Sequence, residues 1–257
     1  AQEIGMDKVA DSAARFGVIQ NMPRVLAMSL GAGETTVLHM AGAYAAFVNG
    51  GRQVTPTLID SVQDRLGRAV WRNNIRSCAG CDADVSAGPP VLKDERKQIT
   101  DPIAAYQMVN ILTGVVERGT GTAAGKGLDR PVGGKSGTTN DFRDNWFVGF
   151  TPDIVVAVWM GFDDSRSLGN GEAGGGNAAP IVHDILAAAL KDSPPVPFRA
   201  PPGVALVRMT DFNGAPITEA FRPGTENSAR APLGGGGGGS GDPPTASAVD
   251  SSLGGLY

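Results

Sequence analysis

The stretch 131–163 constrains the fold of this chain more than any other. Two apolar runs, 146–150 and 154–162, are joined by the tight turn Thr151-Pro152-Asp153. Runs this short, bounded by turn residues, suit strands and not helices. Ahead of them, Pro131-Val132-Gly133-Gly134-Lys135-Ser136-Gly137-Thr138-Thr139-Asn140 reads as a further strand and a loop. The three pieces predict an antiparallel meander. A sheet of this kind has to bury a face, so helices must flank it.

The rest of the chain supplies those helices. Residues 3–17 carry Ile4, Val9, Ala13 and Phe16 at helical spacing, with Gly17 as the stop. Thr36 to Asn49 predicts a second helix, closed by Gly50-Gly51. A third opens on Asp101-Pro102, an N-cap with Pro at the first helical position, and ends at Gly119. A last helix spans 180–191, with Ile181, Ile185, Leu186 and Leu190 read as inward. Residues 54–73 predict a hairpin turning at Asp64-Arg65-Leu66-Gly67, flanked by Leu58, Val62, Val70 and Trp71. The expected class is therefore α+β, an antiparallel sheet flanked by helices.

Beyond Lys191 the composition changes. Residues 193–203 hold five prolines and read as a linker. Residues 204–221 predict a small β-hairpin around Asp211-Phe212-Asn213-Gly214. Residues 222–257 are small and polar, with six glycines at 234–239, and are expected to be a disordered tail.

Charge narrows the function. Lys and Arg total 22 and Asp and Glu 26, a net charge of −4, and no basic stripe points to nucleic acid. The longest apolar run, 154–160, is too short to span a bilayer.

Gly134-Lys135-Ser136-Gly137-Thr138-Thr139 is the motif with chemistry in it. A phosphate loop would need Gly five residues before Gly134, where Asp129 stands, and a helix after the Ser. The sequence after Thr139 is strand-like instead. Gly125-Lys126-Gly127 fails as well, with Thr120 at the Gly position. The alternative is a Lys-Thr/Ser-Gly box on an edge-like strand. Such a strand offers backbone groups to an extended peptide. Gly137 leaves room against the backbone. Lys135 supplies a positive charge for a terminal carboxylate and for proton transfer. Ser136 and Thr138 offer hydroxyl donors, and the Thr138 N–H can face a developing oxyanion.

The context of that box resembles the transpeptidase domain of class A penicillin-binding proteins, the bifunctional peptidoglycan synthases. The segment Arg143-Asp144-Asn145-Trp146-Phe147-Val148-Gly149-Phe150-Thr151-Pro152 carries the likeness, with Ser29-Leu30-Gly31-Ala32-Gly33-Glu34-Thr35-Thr36-Val37 and Ala43-Tyr44-Ala45-Ala46-Phe47-Val48-Asn49-Gly50-Gly51 upstream. Gly114-Val115-Val116-Glu117-Arg118-Gly119-Thr120-Gly121-Thr122-Ala123 matches the helix end leading into the box. The resemblance covers 1–192. It implies a penicillin-recognising serine transpeptidase fold and a parent that attacks the D-Ala-D-Ala bond of a stem peptide. It also implies that β-lactams trap the acyl-enzyme. A glycosyltransferase domain, a membrane anchor and a place on the periplasmic side of the inner membrane come with the family. Lys135 and Thr138 are then the expected catalytic residues of this chain. Lys135, Ser136, Gly137, Thr138 and Thr139 would bind substrate. Peptidoglycan stem peptides and β-lactams are the expected ligands, with other cell-wall synthesis proteins as further partners.

One part of the family pattern is missing. No serine in this chain is followed three residues later by lysine, and no Ser-x-Asn box is present. In the family both boxes precede the helix matching 3–17, so the chain is expected to be the C-terminal part of the domain, truncated before Ala1 and inactive alone. A non-catalytic peptide-binding module of the cell envelope is the alternative. A soluble β-lactamase relative fits less well, because a compact secreted enzyme needs neither linker nor tail.

Cys78-Ala79-Gly80-Cys81 falls in a polar loop. Zinc takes about four ligands. The other candidates, His39 and His183, sit on separate predicted helices, so no metal and no cofactor are expected. A local disulfide or two thiols remain, and the periplasmic setting of the resembled family favours the disulfide. Both histidines read as packed or capping residues. Trp71, Trp146 and Trp159 read as core or sheet-face residues, and Asp163-Asp164 as a turn. The loop 169–176, with five glycines, either flanks a substrate groove or is a plain connection.

Overall fold

Two apolar strand runs within 144–161 produce the central sheet. A computed structural model describes residues 1–73, 81, 94–211 and 213–226. Strands β3 (Gly133–Thr138), β4 (Asp144–Phe150) and β5 (Val155–Gly161) form a three-stranded antiparallel sheet in the order β3-β4-β5. Lys135 lies opposite Val148, Ser136 opposite Phe147 and Gly137 opposite Trp146. Trp146 pairs in turn with Trp159 on β5.

Successive residues of β4 point to opposite faces, and both faces are covered. On one side Phe147 joins Val182 and Leu186 of helix α5 (Ala178–Ala189). On the other, Phe150 packs with Val109 and Leu112 of α3 (Pro102–Arg118) and with Tyr44 and Phe47 of α2 (Val37–Val48). The predicted caps are present. The Asp101 carboxylate accepts from the Ala104 N–H at 3.0 Å, and the Thr36 hydroxyl accepts from the His39 N–H at 3.1 Å. Helix α1 (Met6–Arg15) precedes these, and a single turn, α4 (Thr122–Gly125), absent from the sequence reading, comes after α3.

The inward face of α5 includes the expected Leu186 and Leu190 but not Ile181 and Ile185. Ile181 and Ile185 are exposed, whereas Ala178, Ala179, Val182, Leu186 and Leu190 are buried. The reason is close approach. A Cβ on Gly149 would lie 2.5 Å from Val182 Cγ1, so the helix sets Val182 close against the strand, with Ala178 and Ala179 buried beside it and Ile181 and Ile185 turned outward.

Two small hairpins complete the described residues. β1 (Ser61–Gln63) and β2 (Ala69–Arg72) form where the turn signal lay, yet Leu58, Val62, Val70 and Trp71 are all exposed. β6 (Ala205–Thr210) and β7 (Pro216–Phe221) dock on α3. Gln107 donates to the Ala220 carbonyl at 3.0 Å and Asn110 to the Thr218 carbonyl at 3.1 Å, while Asn110 Oδ1 accepts from the Ala220 N–H. Two amides three residues apart on one helix face thus satisfy backbone groups of β7. Within 193–203, Phe198 sets its ring 5.7 Å from that of Phe150, edge-on, which ties the proline-rich segment to the core. The tail beyond Glu226 lies outside the described residues. Among the described residues no helix is long and apolar enough to cross a membrane.

Candidate active-site strand

β3 begins on two glycines because β4 presents two large rings to it. A Cβ on Gly133 would sit 2.4 Å from the Phe150 ring, and one on Gly134 would sit 2.7 Å from the Phe147 ring and 2.8 Å from the Val148 carbonyl. The strand therefore lies flat on the core where it enters the sheet and carries functional side chains only from Lys135 onward. Among the described residues β3 is also the terminal strand of its sheet, bonded to β4 alone. Alternate backbone groups along such an edge face away from the sheet and can pair with an added extended chain.

Lys135 is exposed, and among the described residues it makes no ion pair. Its Nζ folds back to donate to the Ser136 carbonyl at 2.8 Å, which holds the charge against the strand backbone. Partial desolvation lowers its pKa below the ordinary 10.5, because leaving bulk water disfavours the ammonium form.

Ser136 and Thr138 share one face of the strand. Ser136 Oγ lies 2.8 Å from Thr120 Oγ1, in the turn after α3. Thr138 Oγ1 accepts from the Gly174 N–H at 3.1 Å. The neighbour that a side chain on Gly137 would meet is Trp146, at 3.2 Å from its Cβ.

Thr139 stands apart from the other predicted site residues. Its hydroxyl accepts from the Asp144 N–H at 2.8 Å and donates to Asp144 Oδ2 at 3.1 Å. Asp144 Oδ1 accepts from Trp159 Nε1 at 2.9 Å. This carboxylate joins the end of β3, the start of β4 and the far end of β5.

The glycine-rich loop is not a plain connection. Ser167 donates to the Asp141 carbonyl at 2.6 Å and the Leu168 N–H to the Phe142 carbonyl at 2.8 Å, so the loop first lies on the β3–β4 connection. It then presses Gly174 against β3 and β4, where a Cβ would be 2.2 Å from the Trp146 carbonyl and 2.6 Å from the Gly137 carbonyl. Gly175 meets the Thr120 carbonyl in the same way, at 2.3 Å. Thr120 and Gly174 are the site neighbours that the sequence reading did not single out.

The remaining candidates lie elsewhere. His183 Nε2 donates to the Lys126 carbonyl at 2.9 Å, a tether between α5 and the end of α4. His39 sits exposed in the first turn of α2. Cys78 lies outside the described residues, and Cys81 is not a free thiol. Among the described residues no group of three or more His, Cys, Asp or Glu is placed to hold a metal ion. A cleft of about 640 Å³ opens behind the start of β3, lined by Glu117, Lys126, Arg130 and Val132 among others, and none of Lys135, Ser136 and Thr138 faces it.

Comparison with known proteins bears on the family and the fold. Residues 1–187 match the family model of the penicillin binding protein transpeptidase domain. Penicillin-binding protein 1A of Rickettsia conorii is 37% identical over 231 residues, covering 86% of this chain and 29% of that protein. Penicillin-binding protein 1A of Neisseria gonorrhoeae is 39% identical over 202 residues, 78% of this chain and 24% of its own length. Among solved structures, penicillin-binding protein 1A from Haemophilus influenzae superposes with a TM-score of 0.72 at 28% identity, over 88% of this chain and 38% of that one. PonA1 from Mycobacterium tuberculosis in complex with penicillin V superposes with a TM-score of 0.60 at 21% identity, over 81% of this chain and 54% of its own, a likeness of fold. This chain therefore spans under a third of the Rickettsia protein's length.

Proposed function

The chain belongs to the penicillin-binding protein transpeptidase family, and from that premise we propose that β3 is the substrate-recognition edge of a peptidoglycan D,D-transpeptidase. The observation that carries this reading is an edge strand bearing Lys135, which has no ion-pair partner among the described residues, next to two hydroxyls on one face. A stem peptide would lie along β3 as an added strand, its terminal carboxylate drawn to Lys135 and hydrogen-bonded by Ser136 and Thr138. In the whole protein a serine oxygen would attack the D-Ala-D-Ala carbonyl and expel the terminal D-Ala as an amine. A second stem's amine would then take the acyl group and release the serine. The Thr138 N–H is suited to the developing oxyanion. β-Lactams would enter by the same carboxylate contacts. The Asp144 clamp gives Thr139 the job of closing the end of β3. The setting proposed for the whole protein is the periplasmic side of the inner membrane, with other cell-wall synthesis proteins as partners.

Because no serine here has lysine three residues on, the chain alone is expected to form no acyl-enzyme. The test uses a fluorescent penicillin and a denaturing gel. The 257-residue chain should stay unlabelled. A longer protein that places the Ser-x-x-Lys and Ser-x-Asn boxes ahead of Ala1 should label. In that protein Lys135→Ala should slow labelling on the order of 10²-fold, the scale of losing one transition-state electrostatic contact. Stable labelling of the chain alone, or an unchanged rate in Lys135→Ala, overturns the reading.

The lowered pKa of Lys135 gives a pH signature. Its charge attracts a carboxylate only while protonated, so affinity is full at neutral pH and falls as pH rises through the lowered pKa. The midpoint of the fall should lie below the ordinary lysine value of 10.5. Affinity for a D-Ala-D-Ala peptide measured against pH should show this loss, and Lys135→Arg should flatten it, since guanidinium keeps its proton. A wild-type profile whose fall centres at 10.5 or above contradicts the assignment.

A further inference from the structure

We infer that Thr120 is a positioning residue for carboxylate recognition, one that supplies a hydrogen bond to Ser136 so that the Ser136 proton is free for the ligand. The inference rests on the recognition reading of β3 given above. A hydroxyl has one proton to give and two lone pairs to receive with. At Thr138 a lone pair is already occupied by the Gly174 N–H, a group that can only donate, so the Thr138 proton is directed elsewhere. Ser136 faces Thr120 across 2.8 Å, where either oxygen can be the donor. A ligand carboxylate removes that freedom. It is acceptor-only, so Ser136 must turn its proton to the ligand, and Thr120 becomes the donor to Ser136 Oγ. The result is a chain Thr120 O–H to Ser136 O–H to carboxylate. Beside it runs a second, from the Gly174 N–H to Thr138 O–H to carboxylate. Each donor polarises the next.

Thr120 is held for this task by backbone on both sides. The Gly119 and Gly121 N–H groups both donate to the Val115 carbonyl, at 3.1 and 3.0 Å, which fixes the turn after α3. Gly175 abuts the Thr120 carbonyl. The residue touches no reacting atom, so its effect has to pass through Ser136.

The test measures the affinity of N-acetyl-D-Ala-D-Ala and of its C-terminal amide by titrating the Gly137, Thr138 and Gly174 backbone amide signals of the full chain. Wild type should prefer the carboxylate by about tenfold or more, as charge-assisted hydrogen bonds require. Thr120→Val keeps the shape and removes the hydroxyl, and the preference should shrink to roughly threefold or less. Thr120→Ser should restore it. In a Ser136→Ala background Thr120→Val should have no further effect, an outcome that a merely structural role would not give. Thr120→Ala serves as the second variant should valine crowd Gly175. A carboxylate preference that survives both Thr120→Val and Thr120→Ala overturns this inference and leaves the recognition reading standing. A wild type that fails to prefer the carboxylate overturns the recognition reading, and this inference with it.

Discussion

Phe147→Ala is expected to cost about 3–5 kcal/mol of folding stability, the range for emptying a large aromatic site in a core. The ring is fully buried and sits in a slot shaped by three glycines. Added Cβ atoms at Gly121, Gly134 and Gly149 would lie 2.9, 2.7 and 3.3 Å from it. Because those positions hold no side chain that could move inward, the cavity would collapse poorly, which places the cost toward the upper end of the range. Phe147 is also the cross-strand partner of Ser136. Loss of the ring therefore loosens the part of β3 that carries the hydroxyls. Urea unfolding would measure the change, with Phe147→Leu as the milder comparison at under about 1.5 kcal/mol. A loss below about 1 kcal/mol for the alanine variant, within the scatter of ordinary point mutations, would mean that the slot is not closely packed.

The features that sequence made legible are those set by local chemistry. Asp101-Pro102 and Thr36 announce helix starts because a short side-chain oxygen must satisfy an orphan N–H within three residues. The meander is legible because two short apolar runs and the Thr151-Pro152-Asp153 turn between them lie within one short stretch. Lys135-Ser136-Gly137 could be placed on β3 for the same reason.

The features that escaped are those set by contacts between distant segments. Hydropathy ranks Ile181 and Ile185 above Ala178 and Ala179, but the face that α5 sets against Gly149 through Val182 buries the two alanines and leaves the two isoleucines outside. The Thr120–Ser136 pair joins residues 16 apart, and the Gly174–Thr138 bond joins residues 36 apart. Nothing in either local sequence marks a hydroxyl or a glycine as the partner of the other. The five glycines of 169–176 were visible, yet their composition reads equally as a flexible connection. Their role emerged only from the carbonyls that crowd Gly174 and Gly175.

That crowding leads to the second large effect. Gly174→Ala places a methyl 2.2 Å from the Trp146 carbonyl and 2.6 Å from the Gly137 carbonyl, both backbone atoms of paired strands. Neither can rotate aside as a side-chain tip would, so the loop has to lift from the sheet. The expected cost is about 1–3 kcal/mol, as for other overpacked sites. The consequence for binding is larger than a missing methyl contact would suggest. Lifting the loop withdraws the Gly174 N–H from Thr138 Oγ1. The Thr138 hydroxyl then loses the donor that directs its proton outward, and preference for a carboxylate over an amide should fall by roughly tenfold, the worth of one charge-assisted hydrogen bond. Gly176→Ala is the control two residues away. Its Cβ would meet only the Ala173 carbonyl at 3.5 Å, an ordinary contact, so stability and preference should both stay near wild type. The two variants change the same loop by the same atom, and they differ only in whether that atom faces the strand. Thermal unfolding and the peptide titration together separate them. If Gly174→Ala melts and selects ligands as Gly176→Ala does, the loop is not what fixes Thr138, and the acceptor role assigned to its hydroxyl fails.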